Sequence, residues 1–194
     1  MAVVSRKVHR HKLGRPEEGV VLGVVFSRLL QAVKLERDAF VWMDFNDRAT
    51  GDAVILVAVT QVLLALGTGA SLLDLLNPVT LIRLVLFGLF FWVLYSGATY
   101  LITRHLLDGG GSVATYFRIA GFAYPTLLAA IFANFLFDSF LLTLVVGAAW
   151  FIVVVAFGVM YIGDLTREKA FLAAVGGYAA VVTIQAILSG LRIF

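Results

Sequence analysis

The sequence contains no cysteine among its 194 residues. Disulfide bonds, thiol catalysis and thiolate metal sites are therefore excluded together, because each requires a cysteine sulfur. Charged residues are also scarce, at 14% of the chain, whereas an average soluble domain has about 25%. This scarcity excludes an intrinsically disordered chain, which combines high charge with low hydrophobicity.

Apolar residues are abundant instead and make up 61% of the chain. A water-soluble globule of this size cannot bury so much apolar surface, so the composition predicts an all-α membrane protein. Five apolar segments are each long enough to cross a hydrocarbon core of about 30 Å as helices that rise about 1.5 Å per residue. We predict spans at about residues 53–69, 81–102, 116–137, 140–161 and 170–188.

The chain before the first span divides into two parts. Residues 1–16 are polar and basic and predict a flexible cytoplasmic tail. From Glu17 to Met43, apolar residues recur at helical spacing, but charged residues follow too closely for a span. We therefore predict an interfacial amphipathic helix and linker over residues 17–52, followed by the membrane domain over residues 53–194. We predict that Phe26, Leu29 and Val33 face apolar surroundings, whereas the charged groups of Arg28, Lys34 and Arg37 reach headgroups or water.

Basic residues are distributed unevenly along the chain. Nine of the 15 lysines and arginines precede Ala53. With five spans, four more bases fall on the same side of the membrane as these nine, and only Arg83 and Arg192 fall on the other. Because loops on the cytoplasmic side carry the excess of base, we predict a multi-pass protein of the cell membrane with a cytoplasmic N-terminus and an outside C-terminus.

Known catalytic patterns are missing from the sequence. It has no Gly-x-Ser-x-Gly, His-Glu-x-x-His or P-loop pattern, so we predict no enzyme activity, no cofactor and no metal. No aromatic residue interleaves the basic N-terminal run, which argues against a nucleic-acid partner. The predicted spans carry no acid near mid-membrane, which argues against an ion-coupled carrier.

Several features should shape the helices and their connections. Pro125 should kink the third span, either as a packing feature or beside a ligand cavity. Small residues four apart, such as Ala173 and Gly177, permit close helix contacts within one chain or between chains. The run Gly109 to Gly111 is interpreted as a flexible loop.

A longer motif spans residues 110–125. Its sequence, Gly-Gly-Ser-Val-Ala-Thr-Tyr-Phe-Arg-Ile-Ala-Gly-Phe-Ala-Tyr-Pro, resembles the prokaryotic branch of the Yip1-domain family. In that branch a Gly-Ser loop and a Tyr-Phe-Arg step lead into an aromatic-small-Pro third helix. Residues 44–53 and 162–170 resemble the starts of the family's first and last helices.

The resemblance implies a five-span membrane scaffold or adaptor that organises partner proteins or lipids. Eukaryotic relatives act in Golgi and endoplasmic-reticulum trafficking and interact with Rab-type GTPases. The Asp-Leu-Tyr-Gly-Pro-type element of those relatives is absent here, which argues against a small GTPase partner. The alternatives are an accessory subunit of a larger membrane complex and, third, a small-molecule or lipid transporter. Expected partners are membrane lipids and other membrane proteins or further copies of the chain.

Candidate contact residues for lipids or partners cluster near the predicted cytoplasmic interface. Arg118, just inside the third span, would hold a lipid phosphate, the Asp164 carboxylate or free carbonyls near the end of the fourth helix. Separate water and headgroup contacts for Arg118 and Asp164 are the alternative to a pair. The full candidate set is Tyr116, Phe117, Arg118, Tyr124, Pro125, Asp164, Arg104 and His105.

Overall fold

A computed structural model describes residues 18–136 and 140–190, and every regular element within these ranges is a helix. The predicted all-α class is therefore confirmed, whereas the predicted tail over residues 1–16 lies outside the described residues. The elements are α1 (Glu18–Val33), α2 (Arg37–Phe45), α3 (Ala49–Gly67), α4 (Leu72–Leu75), α5 (Pro78–Leu106), α6 (Val113–Ala123), a 3₁₀ helix (Tyr124–Leu128), α7 (Ala129–Leu136), α8 (Phe140–Gly163) and α9 (Arg167–Gly190).

Five segments in the described part of the chain are long and apolar enough to cross a membrane, which confirms the predicted number of spans. They are Ala49–Gly67, Pro78–Leu106, Val113–Leu136, Val145–Gly163 and Arg167–Ser189. The helix α5 begins earlier than predicted because Pro78 suits a first helical position. The Asn77 side chain caps it by accepting a hydrogen bond from the Val79 amide at 3.0 Å.

The third span lies in the middle of the bundle. Its first part, α6, packs against α3, α5 and α8, while α9 packs against α5 and α8. Ile119 and Phe122 on α6 are 1% and 0% exposed. At Gly121 the backbone of α6 lies so close to Ala53 of α3 that a Cβ atom would clash. A small residue at this position therefore allows α6 to be enclosed by its neighbours.

The third span changes helix type at Pro125. An α-helix cannot continue regularly there, because proline lacks an amide hydrogen and its ring clashes with the carbonyl four residues earlier. The chain adopts a 3₁₀ helix over Tyr124–Leu128 instead. The Tyr124 hydroxyl donates to Gln61 at 3.3 Å, and its ring meets Phe151 edge-on at 6.2 Å. The third span is thus irregular at Pro125, and this 3₁₀ segment is packed against α3 and α8.

Small residues on α9 make their close contact within the chain. Gly177 lies against Thr99 of α5, and a Cβ atom at Gly177 would clash with the threonine hydroxyl. Gly176 similarly faces Ile102, also on α5. The spacing of small residues on α9 therefore serves the α5–α9 contact.

The N-terminal segment contains two helices, so the prediction of one continuous helix to Met43 is wrong. After Val33, Leu35 adopts a left-handed conformation with φ 64°. The Glu36 amide then donates back to the Gln31 carbonyl at 2.9 Å. This closing turn ends α1 and lets the chain change direction, because it satisfies carbonyls that the last helical turn leaves free.

The second helix, α2, is part of the bundle. Ala39, Phe40 and Met43 are each 0% exposed, and α2 packs against α6 and α8. Gly158 on α8 makes room for the Phe40 ring. By contrast, α1 keeps apolar side chains such as Phe26 exposed. The position of α1 at a membrane surface stays a prediction.

Candidate functional site

A buried arginine lies at one end of the bundle, where α2, α3 and α6 meet. Ser112 begins α6 as its cap, because its side-chain oxygen accepts a hydrogen bond from the Thr115 amide at 3.2 Å. Arg118 follows within the first turns of α6 and is 4% exposed. A charged group at such a depth requires close polar partners to offset the loss of water.

The guanidinium of Arg118 contacts two neighbouring elements through all three of its nitrogens. Its Nη1 donates to the Met43 and Asp44 carbonyls at 2.9 and 3.1 Å. Its Nε donates to the Thr50 hydroxyl at 2.8 Å, and its Nη2 to Asp47 Oδ1 at 2.6 Å. These five residues are called the Arg118 junction below. It joins the end of α2 and the start of α3 to α6.

Helix geometry explains why an arginine suits this position. The last carbonyls of α2 have no partner within their own helix, and the C-terminal end of a helix carries a partial negative charge. The planar guanidinium offers donors in a fixed fork, so one side chain can bind α2 and α3 together. Arg118 therefore connects elements that are not adjacent along the chain.

The ion pair in the Arg118 junction is buried on one side only. The side chain of Arg118 is 5% exposed, whereas that of Asp47 is fully exposed at 102%. Water can therefore solvate the carboxylate, which weakens the attraction between the two charges. The hydrogen bonds to the α2 carbonyls lie on the buried side and should contribute more to the stability of the junction.

A second contact between α6 and α2 lies beside the first. The Thr115 hydroxyl donates to Asp44 Oδ1 at 2.6 Å. Because this uses the only hydroxyl hydrogen of Thr115, Ser112 is the donor in the 2.9 Å contact between the two hydroxyl groups. The resulting chain from Ser112 through Thr115 to Asp44 adds to the attachment of α2.

Aromatic residues extend the same region toward α1 and α5. Trp92 on α5 donates from Nε1 to the Phe117 carbonyl at 3.1 Å. Trp42 on α2 meets the Phe122 ring edge-on at 5.8 Å. The guanidinium of Arg28 on α1 lies 5.6 Å from the centre of the Trp42 ring, within the range of a cation–π contact. Helix α1 is thus connected to the bundle through α2, and it also packs directly against α6.

The ion-pair partner of Arg118 is not Asp164, the acid at the end of the fourth span. Arg118 pairs with Asp47, whereas Asp164 is exposed at the end of α8 with φ 51°. The pair with Asp164, one of the partners considered for Arg118, is therefore not formed, and the alternative of an Arg118 in contact with water is wrong too, because the docked α2 supplies the acceptors of the guanidinium. Arg118 binds carbonyls at the end of α2, so the alternative of free carbonyls near the end of the fourth helix is wrong.

The glycine-rich loop is also held more firmly than expected. The Gly110 amide donates to the Gly163 carbonyl at the end of α8 at 3.0 Å. The Tyr116 hydroxyl donates to the Gly110 carbonyl at 2.8 Å. Gly111 has φ +92°, a conformation that other residues rarely adopt. The interpretation of this loop as merely flexible is wrong, since it is attached to both α6 and α8.

The remaining candidate residues lie in different surroundings. Tyr116 and Tyr124 are buried at 2% and 7% exposure, and Phe117 and Pro125 are half-buried. Arg104 and His105 are exposed at the end of α5, and Arg104 reaches the Gly109 carbonyl at 3.4 Å. The structure therefore brings Arg118 to the end of α2 and leaves Arg104, His105 and Asp164 at the surface. Their contacts with lipids or partners stay predictions.

The sequence prediction misses the partners of Arg118 because it assigns residues 44–51 to a linker before the first span. A signal was present: an arginine inside a span needs acceptors, and Asp44 and Asp47 precede the first span on the same predicted side.

Within residues 18–136 and 140–190, no cluster of three or more histidine or acidic side chains is arranged to hold a metal ion.

Comparison with known families supports the motif found in the sequence. The family described as Yip1 domain matches residues 37–189. No curated protein and no solved structure matches the chain. The match begins at α2, before the predicted domain boundary at residue 53, and includes every residue of the Arg118 junction. The assignment to the prokaryotic branch stays a prediction.

Proposed function

The chain belongs to the Yip1 domain family and is a multi-pass membrane protein, and from this premise we propose that it is a non-enzymatic membrane scaffold. In this proposal, the five-span bundle supports the α1–α2 segment in a fixed position on the cytoplasmic side. The segment organises membrane lipids and other membrane proteins, which include further copies of the chain.

The main support for the proposal is that the Arg118 guanidinium binds acceptors within the protein itself. Its guanidinium is bonded to Met43, Asp44, Asp47 and Thr50. An arginine that serves a substrate or a transported ion needs donors directed into a cavity, whereas these donors fix one helix against another. Arg118 is the most deeply buried charged residue in the described structure. Its contacts thus support a role in positioning α2.

The surface that α2 positions is the exposed apolar side of α1. Phe26 and Leu30 are 61% and 44% exposed, while Arg28 on the same helix contacts Trp42. A helix with apolar side chains on one side and a fixed connection on the other suits contact with a membrane surface or a neighbouring protein. The excess of base before Ala53 supports the cytoplasmic location of this segment.

Native mass spectrometry of gently solubilised protein tests the scaffold role, because it reports stoichiometry, retained lipids and bound proteins together. We expect the unmodified chain to form a small, homogeneous oligomer with retained lipid. The variant Arg118→Ala, which loosens α2, should lose most of that oligomer. The variant Arg167→Ala is the matched control, since it removes an exposed base at the start of α9 that makes none of the contacts described above.

Other outcomes would favour other functions. A foreign protein retained in fixed stoichiometry would indicate an accessory subunit of a larger complex. A monomer without retained lipid or protein would contradict the scaffold proposal. An equal loss of oligomer in both variants would indicate that general surface charge, and not the position of α2, controls assembly.

A further inference from the structure

A separate feature lies at the opposite end of the bundle, on the outward face of α5. It is an apolar groove of about 780 Å³. Most of the side chains that line it are strongly exposed, which leaves this face of α5 without a covering helix in the described structure. The lining residues include Val79, Ile82, Arg83, Leu86, Phe90 and Val93.

The depth of the groove corresponds to one leaflet of a membrane. Arg83 and Arg104 are separated by 21 residues of α5, or about 32 Å along a helix axis. This distance is close to the hydrocarbon thickness of about 30 Å, so the two arginines lie at opposite interfaces. From Arg83 the groove continues for ten residues to Val93, or about 15 Å, which is half of that thickness.

The charge of the groove is positive and without internal compensation. Among the described residues that line it, Arg83 carries the only charge. Arg83 is exposed, and within residues 18–136 and 140–190 it has no ion-pair partner. A guanidinium at headgroup depth is well suited to the oxygens of a phosphate. Because the described lining contains no acidic residue, it offers no ion-pair partner to a positively charged headgroup.

We propose that this groove binds one anionic phospholipid, with an acyl chain along Ile82, Leu86 and Val93 and the headgroup phosphate at Arg83. The combination of a phosphate-binding donor, an open apolar groove on α5 of about one-leaflet length and the lack of a compensating acid in the described lining favours this ligand. The site is distant from the Arg118 junction and does not depend on the scaffold proposal.

Native mass spectrometry of the full chain in mixed micelles tests the site. The probe is an equal mixture of phosphatidylglycerol and phosphatidylcholine. We expect the unmodified chain to retain phosphatidylglycerol preferentially. Arg83→Gln should reduce this preference about fivefold, the effect of one basic residue near an anionic lipid. Arg167→Gln, which removes an exposed base at the start of α9, should leave most of the preference intact.

A second variant tests the groove independently of the charge. Leu86→Trp keeps Arg83 but fills the channel, so it should reduce retention of both lipids at this site. A phosphatidylglycerol with a photoreactive acyl chain should label residues 79–93 in the unmodified protein and lose that labelling in Leu86→Trp. Because both substituted side chains are exposed, the fold should not depend on them.

The proposal would be overturned by any of three results. Equal retention of the two lipids by the unmodified chain would indicate ordinary annular lipid. Equal losses in Arg83→Gln and Arg167→Gln would indicate non-specific attraction to positive charge. A dimer that dissociates in Leu86→Trp, without a change in lipid retention, would show that a second copy of the chain occupies the groove.

Discussion

Removal of the Arg118 side chain should detach α2 from the bundle. Arg118→Ala eliminates two hydrogen bonds to the carbonyls of Met43 and Asp44, one to Thr50 and the ion pair with Asp47. A hydrogen bond in a membrane protein contributes about 0.6 kcal/mol to stability on average. For folded proteins in general, the net contribution of a typical hydrogen bond reaches about 1.5 kcal/mol. The three uncharged acceptors therefore predict a loss of about 2–4.5 kcal/mol in the free energy of unfolding.

The assay has a global and a local measurement. The free energy of unfolding is measured by titration with a denaturing detergent, followed by the loss of helical circular dichroism. Because the chain has no cysteine, Ala39→Cys supplies a unique thiol on the buried face of α2, where Ala39 is 0% exposed. This thiol should resist maleimide labelling when Arg118 is present and react when Arg118→Ala is added.

Three further variants separate the contributions to the Arg118 junction. Arg118→Lys should recover only part of the stability, because an ammonium group lacks the planar fork. Asp47→Asn should have a much smaller effect than Arg118→Ala, since the Asp47 side chain is exposed to solvent. Arg167→Ala, which removes an exposed base at the start of α9, should leave both measurements unchanged.

Two results would refute the reasoning. If Arg118→Ala leaves the free energy of unfolding and the protection of the new thiol unchanged, Arg118 does not hold α2. If Asp47→Asn is as harmful as Arg118→Ala, the ion pair, and not the set of carbonyl contacts, dominates the stability of the junction.

Three other predictions address packing, topology and α1. Gly177→Ala should lower the free energy of unfolding by about 1–3 kcal/mol through overpacking against α5. Gly97→Ala should not lower it, because a Cβ atom at Gly97 meets nothing within 4 Å. The same detergent titration measures both variants. A reporter fused after Phe194 should be active outside the cytoplasm, and a cytoplasmic reading would contradict the orientation given by the basic residues. Phe26→Ser combined with Leu30→Ser should increase the water accessibility of a probe on α1 without lowering bundle stability, and unchanged accessibility would argue against membrane contact by α1.

Properties that depend on local composition could be predicted from the sequence. Each span needs only a sufficiently long apolar segment, and such segments can be recognised without knowledge of their neighbours. The break at Pro125 follows similarly from the covalent structure of proline. The motif over residues 110–125 indicated the family, and the cap at Ser112 follows from the oxygen that a serine side chain offers to a helix start.

Features that arise from contacts between distant segments could not be predicted in the same way. Arg118 bonds to residues that lie 68 to 75 positions earlier in the chain, and helical periodicity does not specify which neighbour a helix face meets. The turn at Leu35 carried no glycine signal, although its left-handed conformation separates α2 from α1. Only the tertiary structure shows that α2 docks on α6 and α8, and this docking gives Arg118 the acceptors that a buried charge requires.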